Sequence, residues 1–278
     1  MPRRPPSPLP DLVAAVPGLP AGRLVAPAGM RGAAPVVWVS DAPAAPGDWA
    51  RLAGQHPATG VWPVLLEGLV PGDPERPWSV GEFSGPSEVV PLDVEGFLAA
   101  QYAGDSEDSE DPEDPEDPED PEDPEDPEEH PAGPRPAWPG LSPALPAVTD
   151  PLTAAERSAA DLLDHGRYHL GLVAADRGAD VLAAIGWLGA VNSDVAPATL
   201  SAVLRSWEDR FGARLVALGF DTVRLSVAAP PTSAAQALPV AAEHLAFCPD
   251  GVEQDGPGDV AAYAGLLVGA RGWRFWWD

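Results

Sequence analysis

Three carboxylates in the C-terminal half of the chain could act together. Asp221 falls in a turn between two strand-like runs, Glu243 on a helical stretch, and Asp250 just beyond it. Residues of this kind gather at one edge of a sheet in α/β proteins, where ligands bind. Convergent carboxylates can hold a divalent cation or divide the roles of acid and base. Trp276 and Trp277 lie on a final aromatic run, and an exposed indole is a common binding anchor. The expectation is one cleft lined by Asp221, Glu243 and Asp250 and walled by Trp276 or Trp277, with Arg224 the nearest cation in sequence. The plainer reading scatters these acids: Asp221 shapes a hairpin turn, Asp250 ends a helix or sits in a loop, and Asp278 is solvated.

His244 and Cys248 stand four apart and could share a helix face. A thiol beside an imidazole can be a nucleophile or two metal ligands. Two ligands do not complete a zinc site, and the chain has no second cysteine. Between Phe247 and Pro249, Cys248 reads as a small buried hydrophobe, so no metal and no cofactor is assigned. A phosphate-binding Walker loop, a dinucleotide fingerprint, a His-Glu-x-x-His pair and a Gly-x-Ser-x-Gly elbow are all missing from the sequence.

Charge narrows the partners. The chain has 278 residues with a formal charge of −27, and all 16 of its basic residues are arginine. Between Asp105 and Glu129 there are 17 acids and no base, yet the remainder is still acidic. Nucleic-acid backbones are bound through clustered Lys and Arg, so no nucleic acid is expected. The single cysteine excludes an internal disulfide framework. No apolar run approaches the roughly 18 residues of a membrane span, and prolines interrupt the stretch after Arg3 and Arg4 where a secretory segment would lie. The default expectation is cytoplasmic, with no membrane partner.

The elements that must position these residues fall into two groups. Before the acidic stretch, Val36–Ser40 and Val61–Leu66 read as strands, with a helix from Asp48 between them carrying Trp49 and Leu52 inward. Pro63 lacks a ladder donor and argues for an edge position. A short helix from Val94 follows. After the acidic stretch, Thr153 and Glu156 make a capping box for a helix stopping at Gly166. A strand at Tyr168–Ala174 and a short helix to Gly186 come next. Leu200, Val203, Leu204, Trp207 and Phe211 then keep helical spacing between Pro197 and Gly212. Two runs around Gly219-Phe220-Asp221 read as a hairpin, Ser233 opens a helix that Pro239 should kink or restart, and Asp259 caps another. Trp273–Trp277 is a last strand.

Asp111–Glu128 is Asp-Pro-Glu repeated six times. Proline at every third position blocks helix and sheet, and like charges repel, so this stretch reads as an extended, solvated spacer. The expected division is a Pro-rich unpacked tail (1–20), a small N-terminal β-α-β region (21–104), a disordered acidic linker (105–136) and a C-terminal α/β domain with helices packed on a mixed β-sheet (137–278).

Several motifs occur in order in the last part: Gly186-Trp187, Trp207-Glu208 before Phe211-Gly212-Ala213, Phe220-Asp221-Thr222, Pro230-Pro231, Glu243, Phe247-Cys248-Pro249-Asp250, Gln254 and the terminal Trp273–Asp278. Together they resemble the family termed domain of unknown function 4253, over roughly 168–278, and the N-terminal region resembles the extension of actinobacterial members. The chain departs from the family pattern at Arg224, where an acid is frequent, and at Asp255, where glycine is. The resemblance implies a fold and no activity. The favoured function is a protein- or ligand-binding module, of an immunity-like kind, with a protein as partner. The alternative is a hydrolase or metal-dependent enzyme using Asp221, Glu243 and Asp250.

Overall fold

Seven β-branched or aromatic runs become strands of one mixed sheet. The computed structural model describes residues 8–104 and 136–278. Strands β1 (Gly22–Val25), β2 (Val37–Pro43) and β3 (Val61–Leu66) precede the acidic repeat. Strands β4 (His169–Ala174), β5 (Arg214–Leu218), β6 (Thr222–Ser226) and β7 (Gly272–Trp276) follow it. Their order is β1-β2-β4-β3-β5-β6-β7, and helices α1 (Leu9–Ala14), α3 (Val94–Gly104) and α5 (Val181–Ile185) are among those around them. The expected linker lies outside the described residues but for Pro136.

The expected line between an N-terminal region and a C-terminal domain does not divide the sheet. Strand β4 enters between β2 and β3 and runs antiparallel to both. Strands β2 and β3 are therefore parallel, and helix α2 (Asp48–Thr59) is the crossover of a β-α-β unit split by a strand from the far side of the repeat. Strand β3 then pairs in parallel with β5 through Leu65 and Leu66.

Pro63 is thus on an interior strand, not at an edge. Its missing N–H is tolerated because the ladder to β5 starts only at Leu65. Upstream of that point the Trp62 indole N–H donates to the Leu215 carbonyl at 3.0 Å, taking the place of a ladder bond.

Two helical layers cover the sheet. Val223 and Leu225 of β6 lie opposite Phe275 and Trp273 of β7 and share their buried face. Helix α6 (Pro197–Phe211) packs there, with Trp207 stacked on Phe275 at 5.2 Å, together with helix α7 (Ala234–Phe247). Arg224 and Arg274 face each other on the opposite side. Helix α4 (Pro151–His165) packs against β5 and β6 on that side.

Helix starts follow capping chemistry. Asp150 accepts from the Thr153 N–H at 2.9 Å, with proline in the first turn, so α4 begins before the expected Thr153–Glu156 box. Ser233 caps α7, which continues through Pro239 as one helix. Asp259 caps helix α9 (Val260–Leu267). The expected unpacked tail is also corrected within the described residues. Pro8 and the proline of the first turn start a helix at Leu9–Ala14, and Leu9 and Val16 are buried against Trp38, Leu52 and Leu170. Among the described residues no helix is long and apolar enough to cross a membrane.

Candidate functional site

Strands β2, β3, β5 and β7 point their carboxyl ends to one edge of the sheet. Two indoles close the last carbonyls there. Trp78 Nε1 donates to Glu67 O at 2.7 Å beyond β3, and Trp187 Nε1 donates to Gly219 O at 3.0 Å beyond β5. Such a carboxyl edge is where open α/β sheets bind ligands.

The hairpin turn, the last strand and a short helix meet at this edge. The Asp221 carboxylate accepts from Trp276 Nε1 at 3.2 Å, and its backbone carbonyl accepts from the Trp277 N–H at 3.1 Å. Asp250 opens helix α8 (Asp250–Glu253), and its carboxylate accepts from the Asp278 N–H at 3.0 Å. Asn192 donates to the Asp278 carbonyl at 2.7 Å. Strand alternation sorts the two indoles: Trp277 is buried against Trp187 and Phe247, with ring centroids 5.4 and 5.5 Å away, while Trp276 is half-buried on the other face.

Glu243 belongs to a different set of contacts. It is fully buried, and its two oxygens accept from Arg210 Nη1 (2.8 Å) and Nη2 (2.6 Å), Trp207 Nε1 (2.8 Å) and the Ser142 N–H (2.7 Å). A buried carboxylate needs this compensation to be tolerated. Arg210 also donates to the Ser142 carbonyl at 2.8 Å, so the pair clamps the segment before α4 onto the α6–α7 layer. Arg224 makes no ion pair with Asp221.

His244 and Cys248 do not pair with one another. His244 Nδ1 meets the Tyr263 hydroxyl at 3.1 Å, and the ring sits among Trp207, Trp273 and Phe275. Burial, and secondarily the Arg210 charge, holds its pKa down at about 3. The Cys248 thiol donates to the Trp276 carbonyl at 2.9 Å, and burial pushes its pKa up to about 12. A thiol that stays protonated and an imidazole that stays neutral, each bonded elsewhere, are packing groups. Among the described residues no group of three or more His, Cys, Asp and Glu is placed to hold a metal ion.

An apolar cleft of about 310 Å³ opens at Phe220, which precedes Asp221 in the hairpin turn, and Asp221 is not part of its lining. Its walls include Trp187, Leu188, Val191, Phe220, Pro77 and Arg76. Arg76 lies over the Phe220 ring at 5.1 Å and donates from Nε to both oxygens of Glu82 at 2.9 and 3.0 Å. The turn at Gly186 joins the two halves of the chain here. Its φ is +70°, and a Cβ would meet the Gly85 carbonyl at 2.2 Å, so only glycine fits. Ser84 N–H donates to the Gly186 carbonyl at 2.8 Å.

Residues 169–278 match the model of a family described as Domain of unknown function (DUF4253), less than half of the chain. That stretch is similar to DUF4253 domains. Neither the curated proteins nor the solved structures give a match. Within the matched stretch the motifs at Gly186-Trp187, Phe220-Asp221, Asp250 and Trp276–Asp278 come together around the carboxyl edge, whereas Glu243 is held in the helical layer.

Sequence reasoning missed Leu188, Val191 and the cleft wall supplied by Arg76 and Pro77. Phe220 stood inside a motif and offered a signal. Arg76 and Pro77 offered none, because they reach the site only through the pairing of β3 with β5, from the far side of the acidic repeat.

Proposed function

We propose that the chain is a binding module that takes an apolar side chain of a protein partner in the cleft between Phe220, Trp187 and Pro77. The observation carrying this reading is that the cleft's apolar lining continues onto the surface. Leu188 is 37% and Val191 60% exposed at its mouth, and Leu69, 47% exposed, is tied to the Arg76 carbonyl through its N–H. Exposed apolar side chains gathered around a pocket mark interaction sites, and a pocketed anchor carries most of an interface's energy. The Arg76–Glu82 pair gives the cleft a polar rim. The acidic charge of the chain favours a basic partner surface and fast encounter.

The alternative, a hydrolase or metal-dependent enzyme using Asp221, Glu243 and Asp250, draws no support from Glu243, whose oxygens already accept four hydrogen bonds. The test is capture from native cell extract by the full chain and by a Leu188→Glu/Val191→Glu variant. Both positions are exposed, so the fold is retained. The expected result is a protein captured by the wild type and lost with the variant. Equal capture by both, or no capture by either, overturns the reading.

A further inference from the structure

A second cavity, of about 720 Å³, opens on the opposite face of the sheet, between the end of α4 and the carboxyl end of β3. Tyr168, Glu67 and Arg224 line its inner part, and His165 and Arg167 are exposed at its mouth. Arg224 is half-buried on β6, and its Nε is covered by protein without an acceptor. The contrast with the other partly buried arginines is clear. Arg177 pairs with Glu208 and Asp209, Arg205 with Asp180, and Arg210 with Glu243. Arg274, directly opposite Arg224 in the β6–β7 ladder, pairs with Asp255. Among the described residues Arg224 has no such carboxylate.

A carboxylate does line the same cavity. Glu67 is held at its backbone, where its N–H donates to Leu218 O at 3.1 Å and its carbonyl accepts from Trp78 Nε1. It makes no ion pair with Arg224, although both line the cavity with Tyr168 and both act on its hydroxyl. Burial raises that hydroxyl's pKa most, Arg224 works against the rise and Glu67 adds to it. Two opposite charges that share a cavity without meeting leave each without a partner. Partial desolvation of a guanidinium is costly unless an anionic acceptor repays it, and guanidinium groups match carboxylate and phosphate oxygens in particular.

We propose that this cavity binds a small zwitterionic ligand, whose oxyanion is received by Arg224 with Arg167 at the mouth and whose ammonium or other donor is received by Glu67. Asp161 at the rim already faces His165 at 3.8 Å, and both side chains are more than three-quarters exposed, so their charges are screened. The volume falls in the range of small-ligand sites of roughly 300–1,000 Å³. The site is separate from the apolar cleft, so either can fail without the other.

Two probes distinguish the oxyanion: β-alanine offers a carboxylate and phosphoethanolamine a phosphate, each with an amine. The full chain is titrated with each while the arginine Nε–H resonances are followed by NMR. One probe should shift the Arg224 resonance saturably, and the probe that binds names the oxyanion. Arg224→Gln should weaken binding about tenfold or more, the scale of a charge-assisted bidentate contact. Glu67→Gln should abolish the preference for the amine-bearing probe over acetate or inorganic phosphate. Arg167→Gln, at an exposed position, should weaken binding severalfold and decides the matter if Arg224→Gln does not fold. Absence of saturable binding at millimolar probe, or binding unchanged in both arginine variants, overturns the proposal.

Discussion

Lowering the pH from about 7 to about 5 should destabilise the native chain through His244, by an amount that the burial of its ring sets. The imidazole is fully buried, touches four aromatic rings, and feels the Arg210 charge. Its native pKa near 3 lies well below the ordinary 6.5. The folded state therefore binds fewer protons than the unfolded state between these values, and stability rises with pH across that window. At about pH 5 the unfolded histidine is almost wholly protonated and the native one is not, a difference of about 2 kcal/mol relative to pH 7. His165 shifts the opposite way, raised mainly by its bond to the Asp161 backbone, and cancels when a variant is compared with wild type. The assay is urea unfolding followed by tryptophan fluorescence for wild type and His244→Phe at both pH values. The variant loses the Tyr263 contact at either pH, which changes its stability but not the slope. The wild type should lose about 2 kcal/mol more than the variant on acidification. Parallel pH dependences would refute the reasoning, because His244 would then take up its proton in the folded state.

Trp207 is fully buried, stacked on Phe275 and bonded to Glu243, so Trp207→Ala should cost about 3–5 kcal/mol in denaturant unfolding, and a loss below about 1 kcal/mol would contradict the packing. Cys248, buried and raised to about 12, should react with a thiol reagent only as fast as the protein opens, and at once in urea; immediate reaction in the native state would contradict its burial.

The spacing of Leu200, Val203, Leu204, Trp207 and Phe211 determined helix α6 and its inner face, because a helical period allows only one stripe to be buried. Alternation along Trp273–Trp277 determined that Trp276 and Trp277 face opposite ways, and the structure added which of them is buried, since only one sheet face carries α6 and α7. Asp221 and Asp250 were recognisable as residues near strand and helix ends, and both meet the last strand. Glu243 looked like them in sequence. Its position on the inner side of α7, opposite Arg210 and Trp207, is a relation between two helices that no local pattern encodes. Pro63 misled for a related reason: proline forbids a ladder bond, but only the late start of the β3–β5 ladder decides whether that bond is needed. Local sequence determined the elements, because capping, periodicity and backbone sterics act over a few residues. The tertiary structure alone decided that β4 enters between β2 and β3 and that β3 pairs with β5, and with them the sites that join residues from both sides of the acidic repeat, because strand order depends on contacts between stretches more than a hundred residues apart.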